Sequence, residues 1–150
     1  MSRTKRTWKS QNVVNMKGME NQMSARAAMK IANSVNVLGT IYTIEVLAYN
    51  DDPAFMKSNI DGYCEQGTHR IVIGDLHTWP GWEDESEEYI RECMKHTLRH
   101  EAVHATFAES GQQDSGDKCD GPYCRHEPLV DWIAIQGPKL YKIWQEAGAL

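Results

Sequence analysis

The feature that most constrains the fold of this chain is a histidine pair with a glutamate beside it. Residues 98–105 read Leu-Arg-His-Glu-Ala-Val-His-Ala, which places His100 and His104 four residues apart and Glu101 directly after the first histidine. On a helix, residues four apart lie on the same face, so both imidazoles can reach one metal ion. We therefore predict Zn²⁺ as the cofactor, with His100 and His104 as ligands and Glu101 as the general base that activates a metal-bound water.

The surrounding segment predicts the helix that this interpretation requires. Apolar residues recur at spacings of three and four, which predicts a buried stripe made of Ile90, Met94, Leu98, Ala102 and Ala105. We expect the helix to begin near Asp84 or Ser86 and to end near Glu109, before Gly111. With six histidines and 12 glutamates in the chain, composition alone gives about 0.02 matches to H-E-x-x-H. Coincidence is therefore a poor explanation of the motif.

A catalytic zinc site has three protein ligands as a rule, so one more ligand is needed. Residues 126–131 read His-Glu-Pro-Leu-Val-Asp and begin 22 positions after His104. Glu127 and Asp131 are four residues apart at the start of the last predicted helix and therefore share a face. We predict Glu127 as the third ligand. Asp131 is expected to accept the free ring N–H of a ligand histidine and so to fix its tautomer.

Several site assignments stay open from the sequence. His126 and the pair Cys119 and Cys124, spaced C-x4-C, are alternative third ligands. Together with Cys64 and Cys93, these cysteines contain no C-x-x-C pair, and isolated thiols are the simplest interpretation of all four. A donor to the developing oxyanion is also needed. The candidates for that donor are Tyr123, Arg125 and His126.

Together the two motifs resemble those of the gluzincin metallopeptidases, whose second motif reads N-E-x-x-S-D. His126 and Val130 differ from that pattern, whereas Glu127 and Asp131 match it. The run from residue 98 to 111, followed by residues 129–134, also looks like small metallopeptidase-like proteins of bacterial phages and prophages, a resemblance that covers about residues 36–150. It implies a minimal zincin fold, bound zinc and hydrolysis of peptide bonds, with substrates that are mostly unassigned.

For the fold we expect an α+β, minimal zincin-like domain over residues 36–150. Alternating β-branched runs predict strands at 40–47, 63–66 and 69–73. A small, mostly antiparallel sheet should pack on the active-site helix, and a C-terminal helix should complete the metal site. Gly137-Pro138 is expected to kink or split that last helix. By analogy of fold, the strand at 69–73 is expected to border the cleft and to pair with an extended peptide.

The N-terminal region differs in composition from the rest of the chain. Residues 1–35 are polar and Met-rich, and we treat them as an extension and a candidate for partial disorder. The basic start is not followed by an apolar run, and no stretch of about 18 apolar residues occurs. The net charge of −5 argues against a nucleic-acid partner. We expect a cytoplasmic protein, in the bacterial host cytoplasm if phage-encoded, with a peptide or protein substrate, no membrane partner and an unknown oligomeric state.

Two other classes of function compete with the peptidase. One is a catalytically silent, metal-containing interaction module, for instance a phage or prophage protein that binds a host factor. The intact Glu101 argues against it, because a binding module does not need a base beside its metal. The other is a regulator that uses residues 1–35 to bind a partner or nucleic acid, which the basic start supports only slightly.

Overall fold

The computed structural model describes residues 29–112, 116–117 and 121–148. The strands of the main sheet are β1 Ser34–Val37, β2 Thr40–Ala48, β3 Gly62–Glu65 and β4 Arg70–Asp75. The helices are α1 Pro53–Ser58, α2 Glu87–Glu109 and α3 Glu127–Glu146. Between α2 and α3, the two-residue strands β5 Gly116–Asp117 and β6 Gly121–Pro122 pair with each other. Most of the predicted N-terminal extension lies outside the described residues, whereas Ser34–Val37 belongs to the sheet.

The main sheet is mixed, with the strand order β1-β2-β4-β3. β1 pairs with β2 and β3 pairs with β4 in antiparallel register, while β2 and β4 run parallel with Ile44 opposite Ile71. The expected α+β class with a mostly antiparallel sheet is therefore confirmed. A parallel pair cannot be joined by a tight turn, and the crossover from β2 to β4 here contains α1 and β3. As a result β3 lies at the edge of the sheet and β4 in its interior.

Helix α2 packs on the sheet, and the predicted buried stripe is correct at three of its five positions: Ile90, Met94 and Ala105. The buried residues are Ile90, Met94, Thr97, Glu101 and Ala105. Leu98 and Ala102 are only partly buried against the core cluster. Thr97 and Glu101 turn toward β3, where the Thr97 hydroxyl donates to Asp61 Oδ2 at 2.8 Å. Because the buried residues Thr97 and Glu101 are polar, a pattern of apolar residues selects their neighbours Leu98 and Ala102 instead.

The observed boundaries of α2 agree with those predicted from the sequence. The helix begins after Ser86, whose Oγ accepts the Tyr89 N–H at 3.2 Å, so Ser86 rather than Asp84 is the N-terminal cap. It ends at Glu109, and Gly111 follows in a left-handed conformation with φ of 75°. That conformation favours glycine, which is why Gly111 marks the stop.

Of the expected kink or split at Gly137-Pro138, the split does not occur, because helix α3 continues through Pro138. Proline lacks the N–H that would bond to the carbonyl four residues earlier, which leaves the Ala134 carbonyl without its helical donor. In this chain Arg99 Nε donates to the Ala134 oxygen at 2.9 Å. The Arg99 side chain of α2 therefore replaces the missing backbone donor and links α3 to α2 next to the histidine motif.

This replacement can be tested by a double-mutant cycle. We expect Arg99→Ala to lower the free energy of unfolding by about 1–3 kcal/mol, because a buried carbonyl loses a charged donor. In the Pro138→Ala background the backbone N–H is restored at that position, so Arg99→Ala should have a clearly smaller effect. Urea unfolding of the four chains in the presence of a chelator measures the coupling. Equal effects of Arg99→Ala in both backgrounds would rule out the replacement.

Small residues make the contact of α3 with the rest of the domain. Val130 and Ala134 are its buried residues. Trp132, which its place in the apolar pattern predicts as a core residue, is 52% exposed, so that prediction is wrong. The reason is geometric, since Trp132 is two residues from each buried position and therefore points nearly half a turn away from both. Within the described residues no helix combines the length and apolar character needed to cross a membrane.

Candidate metal centre

The predicted ligands meet where α2 and the first turn of α3 face each other. One ligand atom from each of His100, His104 and Glu127 lies within 4.8 Å of the others. His100 Nε2 is 2.9 Å from His104 Nε2 and 3.0 Å from Glu127 Oε2, and His104 Nε2 is 3.6 Å from the same oxygen. Tetrahedral zinc with ligands at about 2.0–2.1 Å places its ligand atoms about 3.3 Å apart. The observed spacing fits such an ion.

Asp131 determines which nitrogen of His100 faces that centre. Its Oδ1 lies 2.8 Å from His100 Nδ1, the contact that the sequence predicts for it. Because a carboxylate only accepts, this contact assigns the ring proton to Nδ1 and leaves a lone pair on Nε2. That lone pair faces the carboxylate of Glu127. Two acceptors at such a distance attract each other only through a proton or a cation between them, and two imidazoles with one carboxylate suit zinc.

Glu101 lies beside the ligands without joining them. It is 6% exposed, whereas ordinary glutamates are almost never buried. Burial raises the pKa of Glu101 to about 7, the negative charges of Asp61 and Glu127 add to that rise, and His100 and the Cys64 backbone N–H oppose it. A carboxylate held at this pKa is near the optimum for moving a proton at neutral pH. A divalent cation at the neighbouring ligands would lower the pKa.

A glycine on β3 allows the strand to approach Glu101 this closely. A Cβ atom at Gly62 would lie 2.5 Å from Thr97 Cγ2 and 3.3 Å from Glu101 Cγ. The first distance is far inside van der Waals contact, so any larger residue would push β3 away from α2. No local pattern in the sequence marks Gly62, so it is not among the predicted site residues.

An open cleft of about 530 Å³ lies over these groups. It is lined by α2 from His96 to His104, by the edge strand β3, and by Glu127 and Asp131 of α3. The strand at 69–73, which the analogy of fold places beside the cleft, does not line it, so that expectation is wrong. β4 is paired on both sides, to β2 and to β3, and has no free edge for a peptide.

The free edge next to the cleft belongs to β3 instead. Gly74 N–H donates to the Asp61 carbonyl at 2.7 Å, and Tyr63 lies opposite Val72. Since bonded pairs alternate along an antiparallel ladder, the backbone groups of Gly62 and Cys64 point away from β4. The Cys64 N–H accordingly donates to the Glu101 carboxylate. The backbone of β3 therefore faces the candidate catalytic glutamate.

The sequence leaves open several candidates for the third metal ligand and for the oxyanion donor, and the structure places some of them. His126 is the N-terminal cap of α3, and its Nδ1 accepts the Leu129 N–H at 3.2 Å. It does not belong to the three-residue group that can hold an ion among the described residues. Cys119 and the side chain of Cys124 lie outside the described part of the chain. Of the oxyanion candidates, Arg125 lines the cleft, whereas Tyr123 and His126 do not.

Comparisons of the chain with protein-family models, with curated proteins and with solved structures find no match. The resemblance to gluzincins therefore stays a prediction from the two motifs. Any proposed function rests on the geometry and chemistry of the site.

Proposed function

We propose that this chain is a zinc-dependent peptidase that hydrolyses peptide bonds. The observation that carries the proposal is the meeting of His100, His104 and Glu127 within 4.8 Å in an open cleft, next to the buried carboxylate of Glu101. A purely structural zinc site is closed by four protein ligands. Three ligands, an open cleft and a buried acid together support catalysis more than they support a structural clip.

In the proposed reaction each residue has a separate task. When bound, zinc supplies a Lewis acid that polarises a carbonyl and lowers the pKa of water. Glu101 accepts the proton of the attacking water and passes it to the leaving amine. Asp131 holds His100 in the tautomer that directs Nε2 at the metal position. Arg125 lines the cleft and is the candidate donor to the developing oxyanion.

The geometry of β3 supports a peptide as the substrate. An extended chain can add to the free edge of a sheet through backbone hydrogen bonds, which gives affinity for many sequences. β3 presents Gly62 and Cys64 to the cleft at the level of Glu101. A peptide bound along this edge would place a backbone carbonyl beside the metal ligands.

Metal removal and restoration test the proposal. We expect the zinc-loaded chain to cleave members of an unstructured peptide pool, with new termini identified by mass spectrometry. Treatment with a chelator should abolish cleavage, and one equivalent of zinc per chain should restore it, whereas magnesium should not. Bound zinc with no cleavage of any peptide would contradict the peptidase function and favour the interaction module. Cleavage that persists in metal-free protein would exclude a zinc mechanism.

A further inference from the structure

Asp61 lines the cleft, where a buried hydroxyl bonds to its carboxylate. The Thr97 hydroxyl, on a residue that is 5% exposed, donates to Asp61 Oδ2 at 2.8 Å. Asp61 directly precedes Gly62, the β3 residue in contact with Glu101. The Asp61 carboxylate is therefore held next to the strand residue that contacts Glu101, the candidate catalytic base.

No positive charge balances this carboxylate in the described part of the chain. Asp61 takes part in none of the ion pairs there, although Glu45 and Glu65 share Arg70. Its acidic neighbour is Glu101, whose pKa the negative charge of Asp61 raises. Asp61 is exposed, so water solvates its charge in the free protein and an incoming cationic group can reach the carboxylate directly.

A second polar group lies on the same turn of α2. His96, the neighbour of Thr97, also lines the cleft, and its Nε2 is buried without a hydrogen-bond partner. The nearest charged atom, Asp131 Oδ1, is 3.9 Å away, too far for a direct bond. Buried polar nitrogens almost always have a partner, so a further polar partner is expected beside this ring.

From these contacts we infer that the part of the cleft around Asp61, His96 and Thr97 is a subsite for a cationic side chain of the substrate. We name it the Asp61 subsite. A lysine or arginine one or two residues from the scissile bond would donate to the Asp61 carboxylate. A metal ion is a poorer occupant, because His100, His104 and Glu127 are the group of described residues able to hold one. The inference rests on the proposed peptidase function and adds a substrate preference to it.

Binding is the right readout for this subsite. Activity would be ambiguous, because the charge of Asp61 also acts on the Glu101 carboxylate. Hydroxamate-terminated dipeptides can anchor at zinc and differ only in the residue next to the hydroxamate. We would measure three of them, carrying lysine, norleucine or glutamate, by calorimetry on the zinc-loaded chain. Norleucine keeps the aliphatic chain of lysine and lacks its ammonium group, so the difference isolates the charge.

The lysine compound should bind about tenfold tighter than the norleucine compound, and the glutamate compound weakest. Asp61→Asn should remove this difference while keeping the acceptor for Thr97. Glu65→Gln is the matched control and should preserve the preference, because this carboxylate at the other end of β3 bonds to Arg70 and does not line the cleft.

Two unfavourable outcomes are distinguishable. If all three compounds bind equally, or if Asp61→Asn keeps the preference, the Asp61 subsite is wrong and the peptidase function stands. If none binds although the protein holds zinc, both the peptide cleft and the subsite are wrong.

Discussion

Replacing Glu101 with glutamine is expected to reduce peptide hydrolysis by about 10²–10⁴-fold while leaving the zinc content unchanged. Glutamine keeps the shape and the acceptor oxygen that receives the Cys64 N–H, but it cannot take a proton. The ligand atoms of His100, His104 and Glu127 are not altered by this change. Zinc analysis and turnover on the same preparation give the two readouts.

A matched control separates loss of the base from general damage to α2. Glu92→Gln makes the same substitution on the same helix, at an exposed residue that bonds to Lys95 outside the cleft. Its turnover should stay within about twofold of the original chain, as expected for a surface change. Turnover of the Glu101→Gln chain within about tenfold of the original would remove Glu101 as the general base.

The same substitution has a pH signature in the metal-free protein. Burial raises the pKa of Glu101 from 4.5 to about 7 in the fold, so folding favours its protonated form. The stability that this proton gives is fully present below pH 4.5 and is lost as the pH rises toward 7. Metal-free Glu101→Gln should therefore be more stable than the original chain at about pH 8, and the difference should shrink on acidification. Unfolding midpoints in urea across this range check the sign.

The site is predictable from sequence to the extent that helical spacing fixes it. His100 and His104, and likewise Glu127 and Asp131, are four residues apart on helices, so each pair shares a face wherever its helix lies. The meeting of the two pairs depends on how α3 packs, which local spacing does not determine. Small Val130 and Ala134 and the bond from Arg99 set that packing, while the larger Trp132 faces solvent.

Features set by tertiary contacts escape the sequence analysis. The parallel pairing of β2 with β4 puts β4 in the sheet interior, and nothing within residues 69–73 records its neighbours. The segment from Asn50 to Pro53 is typical of a turn. In the fold Asp52 Oδ1 accepts the Ala54 N–H at 2.8 Å and starts α1, with Pro53 in its first turn. Turns and helix starts use the same residues, so the sequence alone does not separate them.

Zinc-binding measurements test most directly whether Glu127 is the third ligand. We expect one zinc per chain, and we expect Glu127→Ala to weaken its binding by at least about 100-fold, more than a typical change of an outer contact. At a zinc concentration about 100 times the dissociation constant, binding stabilises the fold by about 2.7 kcal/mol. For a chain of this size that corresponds to a rise in melting temperature of roughly 5–10 °C. The original chain should show this rise and the Glu127→Ala chain should not.

Two neighbouring substitutions show whether the loss is specific. Asp131→Asn keeps all three ligands and weakens the hold on His100, so zinc affinity should fall by about 10–100-fold, less than for Glu127→Ala. His126→Ala removes the cap of α3 and should lower stability by about 1 kcal/mol with little effect on zinc. Adventitious binding to exposed carboxylates would not follow this order. Zinc that survives Glu127→Ala and disappears in His126→Ala would make His126 the third ligand and weaken the resemblance to gluzincins.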